Sequence, residues 1–288
     1  MKSRRVYFVM GTFLSVLIEG ADAPDVEHAH DLILSEVSRL ENLLSIYRDD
    51  SEVSTINRSA GVASVRVSPD TYEAISKSLR FSEITDGAFD PTVYPMTRRD
   101  AAADRGLRPF SDLIGYRLVT LNPNDSSVFL ARPGMGLDLG GIGKGLALDV
   151  AFEKVRQDCR VDEIGMDFGG QLMFWRRDGF NEPLRIAIES PMTKGKAVCQ
   201  FTVQSSCSVS TSSNAERTGN GAHLVNPRTA CAESWPGSVT VIAETGMIAE
   251  ILSTAMFIAG PVHGKQLLRR FNGARAIVCL GSEAVAEG

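Results

Sequence analysis

Features that are scarce in this chain exclude several classes of protein. Its 288 residues are only 7% aromatic, and 35 acidic residues outnumber 30 basic ones. Binding to nucleic acid needs a basic face that neutralises phosphates, so this balance argues against a nucleic-acid partner. The five cysteines include no CxxC pair, which argues against a zinc or dithiol redox site. Internal repeats and low-complexity stretches are absent as well.

Long hydrophobic runs are also missing. No window approaches the roughly 18 consecutive apolar residues of a membrane span. The N-terminus imitates a signal peptide, with Arg4-Arg5 before an apolar stretch and GADA as a possible cleavage site. Glycine and polar residues interrupt that stretch, which favours a first β-strand containing a functional turn. We therefore expect a cytoplasmic protein without a membrane segment.

The pattern of apolar residues predicts an α+β fold. Helical spacing runs from Asp22 to Leu44, and Pro69 opens a second helix that extends through Ile84. Short strand patterns dominate residues 164–243, and two further helices are expected at about 248–259 and 262–271. Because helices and strands do not alternate regularly, a Rossmann or barrel plan is disfavoured. We expect mostly antiparallel sheets with packed helices in a single two-lobed domain over residues 1–288.

Several local predictions accompany this fold. Ser51 should cap a short helix that ends near Asn57, and the alternation from Val62 to Val67 predicts a strand. The segment TDGAFDPTVYPM, residues 85–96, is rich in glycine and proline and predicts an irregular binding loop. His28 and His30 lack a third ligand nearby, so we interpret them as part of a solvated helix start.

A glycine-rich segment, Gly140-Gly141-Ile142-Gly143-Lys144-Gly145, lies between an apolar strand and a helix. Free N–H groups and the helix dipole at such a position attract phosphate. The segment is not a Walker A loop, because Asp138 stands where glycine is required and Gly145 replaces the Ser or Thr. It does not match G-x-G-x-x-G either. Tight packing between this strand and the helix is the alternative explanation.

Three further groups of residues have side chains suited to chemistry. Glu250 and Thr254 are one helical turn apart and could both reach a hard cation such as Mg²⁺. Taken alone, the pair favours the simpler interpretation of a dipole-favoured Glu beside a core-facing Thr. His223 could act as a general base, or it could be structural. Arg228 follows in a turn fixed by proline and could bind phosphate. Residues 210–213, STSS, either bind phosphate or form a plain turn.

Taken in order, these segments resemble the ApbE family of FAD:protein FMN transferases. The similarity runs from about Val6 to Leu280 and rests on eight blocks. They are MGT (10–12), SIY with DDSEVSTIN (45–57), DGAFDPTVYPM (86–96), DLGGIGKGLALD (138–149), Gly169-Gly170, STSS (210–213), HLVNPRT (223–229) and AEILSTA (249–255).

The resemblance implies a T-fold-like protein that binds FAD with Mg²⁺ at its pyrophosphate. Such a protein transfers FMN to a Thr or Ser hydroxyl of an acceptor protein and releases AMP. By matching position, the metal ligands would be Glu250, Thr254 and the backbone carbonyl of Gly143. His223 would stand near the reacting phosphate as the catalytic residue.

The resemblance also implies contacts with the cofactor. Met10 and Tyr47 would flank the aromatic rings of FAD, and Asp149 would lie near its adenosine end. The other matched positions are Asp90, Lys144, Thr211, Ser212, Ser213 and Arg228.

Four departures from the family pattern fall close to the expected chemistry. Glu250 stands where Asp is usual, Asn226 replaces an Asp, and Ala230 and Ser213 each replace a Gly. They leave three hypotheses open: a flavinyltransferase, a flavin protein that has lost transfer or only cleaves FAD to FMN and AMP, and a structural or regulatory protein with an empty site.

Overall fold

The computed structural model describes residues 1–97, 108–177, 183–193, 195–203, 206–213, 224–233, 235–281 and 283–287. Its helices are α1 (Ala23–Leu44), α2 (Glu52–Arg58), α3 (Pro69–Ile84), α4 (Tyr94–Thr97), α5 (Gly143–Asp158) and α6 (Gly246–Leu268). Short 3-10 helices occupy Pro91–Val93, Arg108–Leu113 and Tyr116–Leu118. The strands are β1 (Lys2–Val9), β2 (Thr12–Gly20), β3 (Val65–Arg66), β4 (Val119–Asn122), β5 (Ser127–Leu130), β6 (Val161–Phe168), β7 (Gln171–Arg176), β8 (Leu184–Glu189), β9 (Ala197–Val203), β10 (Cys207–Ser213), β11 (Val225–Asn226), β12 (Cys231–Ala232), β13 (Gly237–Ala243), β14 (Arg275–Leu280) and β15 (Glu283–Glu287).

A single large sheet organises the chain. Its eight strands run in the order β1-β2-β6-β7-β10-β13-β14-β15, and each pairs with its neighbours antiparallel. Helices α1, α5 and α6 pack together on one face, where the main hydrophobic core lies. The β8–β9 hairpin contributes to a smaller cluster on the other face, against β7, β10 and β13. This arrangement confirms the prediction of an α+β fold with mostly antiparallel sheets.

Local sequence signals explain where the main helices begin. The Asp22 carboxylate accepts a hydrogen bond from the backbone N–H of Asp25 at the start of α1, and Ser68 caps α3 one residue before Pro69. The apolar residues that predicted α1 are buried on one face: Val26, Ile33, Val37, Leu40 and Leu44. The predicted bounds of both helices are confirmed, as is the short helix capped by Ser51.

Helix α6 is long and apolar enough to cross a membrane by length and composition, with a mean hydropathy of 1.3. In the fold, 61% of that window is buried, and the helix packs against β10, β13 and α5. Gly260 has φ 77° and ψ 169°, which breaks the helix just before Pro261. The break separates the two consecutive helices predicted for this region.

Three local predictions need correction, and one strand was missed. The segment 85–96 is not wholly irregular, because the Asp90 side chain caps a 3-10 turn that leads into α4. Strand β3 is shorter than Val62 to Val67 and pairs only at Val65 and Arg66. His30 is fully buried beside the Tyr7 ring, whereas His28 is exposed as expected. Strand β15 was not predicted.

Candidate active site at the α5–α6 junction

The first turns of α5 and α6 lie directly against each other. A Cβ atom on Gly145 would lie 2.3 Å from the carbonyl oxygen of Gly246, and one on Gly246 would lie 2.7 Å from that of Gly145. Only glycine allows two backbones to approach this closely. The tight-packing explanation of the glycine segment is therefore correct for Gly145, although its neighbour is a helix and not a strand.

Each helix supplies a carboxylate to the N-terminus of the other. Asp149 of α5 accepts hydrogen bonds from Gly246 N at 2.6 Å and Met247 N at 2.9 Å. Glu250 of α6 accepts one from Gly145 N at 2.8 Å. Helix α5 has no capping side chain of its own, because its N-cap residue is Ile142. Glu250 therefore satisfies a free N–H group at a positive helix end, and we call this reciprocal arrangement the α5–α6 junction.

Burial affects both carboxylates of the junction. Glu250 is 4% exposed and forms an ion pair with the Lys144 ammonium, whose side chain is 29% exposed. Burial raises the pKa of Asp149 to about 6, while the backbone N–H groups of Met247 and Gly246 lower it. Asp149 is therefore neutral in a substantial fraction of molecules just below neutral pH.

A chain of hydroxyl groups extends from the junction along β10. Ser212 Oγ lies 3.3 Å from Thr254 Oγ1 and 2.9 Å from Ser253 Oγ. Ser253 Oγ in turn lies 3.1 Å from Ser210 Oγ and 3.0 Å from the Glu250 carbonyl oxygen. Ser212 and Thr254 thus lie together, and Ser253 joins them to the backbone of Glu250.

Thr211 faces the opposite side of the sheet. Side chains alternate along a strand, and Ser210 and Ser212 point toward α6. The Thr211 hydroxyl instead pairs with Thr240 at 2.8 Å on the other face. Thr211 and Ser212 therefore cannot present their hydroxyls to the same phosphate. Ser213 ends the strand.

Two hairpin turns lie at this same end of the sheet. Met10 and Gly11 connect β1 to β2 with φ 48° and 72°, and Gly169 and Gly170 connect β6 to β7 with φ 60° and 83°. A residue other than glycine with positive φ is uncommon and often marks a functional position, which makes Met10 notable. A Cβ on Gly169 would lie 3.1 Å from Thr12 Oγ1, so the two turns are adjacent.

Gln171 connects the Gly169-Gly170 turn to the junction, a role that was not predicted from the sequence. It is 1% exposed, follows Gly170 directly, and donates hydrogen bonds to Gly246 O and Ser208 Oγ, both at 3.1 Å. The signal in the sequence was a glutamine opening an otherwise apolar strand. Gln171 thus joins the Gly169-Gly170 turn to the start of α6, and the Met10 turn lies beside that turn.

A second group of predicted residues lines a separate cavity of about 220 Å³. We call it the Arg228 corner, because the exposed Arg228 side chain forms one wall and donates from Nε to the Asp86 carbonyl oxygen at 3.1 Å. Its lining residues are Asp86, Gly87, Asp90, Ile114, Gly115, Tyr116, Arg117, Pro227 and Arg228.

The Asp90 carboxylate organises the backbone of this corner. It accepts hydrogen bonds from Thr92 N at 2.8 Å, Thr92 Oγ1 at 2.6 Å and Tyr116 N at 2.9 Å. Burial raises the pKa of Asp90, and these three donors lower it. Asp90 thus holds two loops together at the cavity wall.

Asp138 connects the Arg228 corner to the glycine segment. Its backbone N–H donates to Pro91 O at 2.7 Å. Its carboxylate accepts from Gly140 N at 2.9 Å and from Thr97 Oγ1 at 2.6 Å. Asp138 was considered above as a mismatch to a Walker A loop, and its role in joining the two regions was not predicted.

Two further predicted site residues are Tyr47 and His223. Tyr47 follows α1 and is 78% exposed. His223 lies outside the described residues, and its predicted role stays a prediction.

The donor atoms near Glu250 suit a hard divalent cation in their chemistry. Glu250 and Thr254 lie one turn apart, and Gly143 opens the helix that Glu250 caps. The cation that Glu250 contacts in the structure is the Lys144 ammonium. Among the described residues, no three His, Cys, Asp or Glu side chains cluster. A metal here would therefore depend on hydroxyl, carbonyl and phosphate oxygens besides Glu250.

These features define an α+β protein that gathers two helix N-termini, a carboxylate and a lysine at one end of an antiparallel sheet. The model of the ApbE family matches residues 10–278, and the chain belongs to this family.

Known proteins of this kind match most of the chain. The FAD:protein FMN transferase of Haemophilus influenzae is 27% identical over 273 residues, which cover 87% of this chain and 79% of that protein. The FAD:protein FMN transferase of Treponema pallidum is 29% identical over 301 residues, covering 95% and 83%.

Solved structures agree with the fold over its full length. The ApbE protein of Thermotoga maritima superposes with a TM-score of 0.88 at 25% identity, covering 100% of this chain and 97% of that one. The apo flavinyl transferase ApbE of Pseudomonas stutzeri gives a TM-score of 0.84 at 25% identity, covering 100% and 94%.

Proposed function

We propose that this chain is an FAD:protein FMN transferase that uses a divalent cation, Mg²⁺, and modifies a Thr or Ser hydroxyl of an acceptor protein. The observation that carries the proposal is the α5–α6 junction, where two helix N-termini, Lys144 and Glu250 meet. Helix N-termini and a lysine favour a bound pyrophosphate, and a buried carboxylate favours a bound cation. Family membership and relatives named for this reaction support the same assignment.

In the proposed reaction the acceptor hydroxyl oxygen attacks the phosphorus on the FMN side of the FAD pyrophosphate. A new P–O bond forms to the acceptor, and the bridging P–O bond breaks, so that AMP leaves with the electron pair. The hydroxyl proton passes to a base, for which His223 is the candidate. A bound Mg²⁺ would neutralise charge on the pyrophosphate.

The described residues contribute binding and orientation. Lys144 and the backbone N–H groups at the start of α5 would stabilise negative charge on the phosphates. Thr254 and Glu250 would hold the cation together with the Gly143 carbonyl, and Ser212 orients the Thr254 hydroxyl through its 3.3 Å contact. Met10 and Tyr47 are proposed to contact the flavin ring, Met10 from a turn that lies beside the Gly169-Gly170 turn.

Asp149 takes a structural role in this proposal. Both of its carboxylate oxygens bind the backbone of α6. Any contact with adenosine would come from the surrounding backbone. The cytoplasmic location predicted from the N-terminal sequence remains a prediction.

The test incubates the protein with FAD, Mg²⁺ and a candidate acceptor. We expect flavin fluorescence on the acceptor that survives denaturation, with one AMP released per label. FMN and AMP without a label would indicate a pyrophosphatase, and bound FAD without AMP would indicate a pure binding protein. Either result, repeated over a panel of acceptors, would contradict the proposal.

Thr254 offers a matched pair of variants for this assay. Thr254→Val keeps the shape of the side chain but removes the hydroxyl, so we expect a loss of label and a weaker response to Mg²⁺. Thr254→Ser keeps the hydroxyl and should retain most of the activity. Equal activity of both variants would remove Thr254 from the proposed site.

A further inference from the structure

The loop that carries Arg228 is held by the side chain of Asn226. Its Oδ1 accepts hydrogen bonds from Arg228 N at 3.0 Å and from Thr229 N at 3.4 Å. The chain then turns sharply, because Ala230 N donates to Asn226 O at 2.9 Å and Ala230 has φ 51°. Asn226 therefore sets the direction in which the Arg228 side chain leaves the backbone.

Glu233 fixes the orientation of the Asn226 amide. Strands β11 and β12 form a small hairpin, and Glu233 follows it, with its N–H donating to Leu224 O at 3.0 Å. From there, Glu233 Oε1 accepts a hydrogen bond from Asn226 Nδ2 at 2.7 Å. An ionised carboxylate can only accept, so the amide nitrogen must face Glu233 and the amide oxygen must face the Arg228 turn.

Aspartate at position 226 would break this contact. It has no donor to offer Glu233, and two carboxylates in contact repel each other and raise each other's pKa. The departure from the family pattern at Asn226 therefore matches a neighbouring charge in this chain. The negative charge of the turn is located on Glu233 and not on residue 226.

We infer that Glu233 is a positioning residue for FAD binding. It acts through Asn226 to hold Arg228 at the wall of the 220 Å³ cavity, where the guanidinium contacts the Asp86 carbonyl. The inference rests on the proposed function, since it assumes that this cavity receives part of FAD. The test measures FAD affinity in the absence of an acceptor, so its result does not depend on whether transfer occurs.

The experiment is a cycle of variants in which the dissociation constant for FAD is measured by flavin fluorescence with Mg²⁺ present. Asn226→Asp places two carboxylates together and should weaken FAD binding at least tenfold. Glu233→Gln keeps an acceptor but allows the wrong amide orientation, and should weaken binding about threefold to fivefold. The double variant Asn226→Asp with Glu233→Gln restores one donor and one acceptor, and should return to within about threefold of the wild type.

Rescue by the double variant separates positioning from a general loss of structure. In the transfer assay, the KM for FAD should follow the same order, while kcat changes less. Glu73→Gln is the matched control, because it neutralises an exposed glutamate on α3 whose side chain pairs with Lys77. It should leave FAD affinity unchanged.

Additive losses in the double variant, or an Asn226→Asp variant that binds FAD as well as the wild type, would overturn the inference. If rescue fails while wild-type protein still labels an acceptor, the inference alone is wrong. If rescue occurs but no acceptor is ever labelled, the proposed function is wrong and the role of Glu233 in FAD binding stands.

Discussion

The α5–α6 junction and the Arg228 corner hold their polar groups in different ways. In the junction, the buried Glu250 accepts a hydrogen bond from one backbone N–H group of the opposite helix, and the partly buried Asp149 accepts two. In the Arg228 corner, an exposed arginine side chain reaches across to a loop carbonyl. Buried polar groups are costly to leave unpaired, whereas exposed ones are replaced by water at little cost. The polar groups of the junction therefore depend on buried hydrogen bonds, whereas the contact between Arg228 and the Asp86 carbonyl is open to solvent.

Removing Glu250 is expected to have the largest effect. Glu250→Ala leaves Gly145 N–H and the Lys144 ammonium without their carboxylate, and should lower the free energy of unfolding by about 3–5 kcal/mol. Urea denaturation measures this loss. Glu250→Gln keeps an acceptor for Gly145 N–H and should lose less, but it should also lose the response of FAD binding to Mg²⁺. Equal stability of Glu250→Ala and the wild type would contradict the capping role.

Gly145→Ala tests the close approach of the two helices. The new methyl group would meet the Gly246 backbone at 2.3 Å, and we expect a loss of about 1–3 kcal/mol in the free energy of unfolding. Gly143→Ala is the control for stability, because a Cβ there meets nothing within 4 Å. Equal stability of the two alanine variants in thermal denaturation would show that the close contact between Gly145 and Gly246 does not restrict the residue at position 145.

Asp149 should give the junction a pH dependence. The pKa of Asp149 in the folded protein is about 6, above its ordinary value of 3.8. The folded state therefore binds the proton more tightly than the unfolded state. The resulting gain in unfolding free energy is complete below pH 3.8 and is lost as the pH rises through 6. Relative to Asp149→Asn, the wild type should lose at most about 3 kcal/mol of unfolding free energy between pH 4 and 7. Parallel stability curves for the two proteins over this range would refute the assignment.

Lys144 and a divalent cation should compete for Glu250. Lys144→Met removes the ammonium that contacts the carboxylate, and should raise the affinity for Mn²⁺ alone by roughly tenfold. Isothermal titration in the absence of FAD measures this change. Lys154→Met, which removes an exposed lysine paired with Asp158, is the control. Weaker Mn²⁺ binding by Lys144→Met would show that the lysine assists the cation.

The smallest effect is expected in the Arg228 corner. Ala230→Gly relieves a left-handed backbone conformation with φ 51°, a gain of about 1 kcal/mol, but it loses a buried methyl group of about 0.8 kcal/mol. Thermal denaturation should therefore show a change within about 0.5 kcal/mol. A loss above about 2 kcal/mol would contradict this expectation.

Much of the fold was predictable because its signals are local. The caps Asp22 and Ser68, the prolines after them and the apolar spacing of α1 all lie within single elements. The short helices after Asp90 were missed because a glycine-rich and proline-rich composition is usually irregular. The opposite directions of Thr211 and Ser212 follow from strand alternation and could have been predicted.

The contacts that make the site were harder to predict. Glu250 caps a helix that begins about a hundred positions earlier in the chain, and Gln171 joins the Gly169-Gly170 turn to α6. Such contacts depend on how elements pack, which local patterns do not encode. Likewise, Asn226 departs from the family pattern in a way that is understood only with Glu233 beside it.

Titration of FAD with and without Mg²⁺, followed by flavin fluorescence, tests most directly whether the α5–α6 junction binds the pyrophosphate. The measurement compares the wild type with Glu250→Gln. We expect the wild type to bind FAD more tightly with Mg²⁺, and Glu250→Gln to bind with an affinity that Mg²⁺ does not change. An equal effect of Mg²⁺ on both proteins, or no binding of FAD by the wild type, would contradict the assignment.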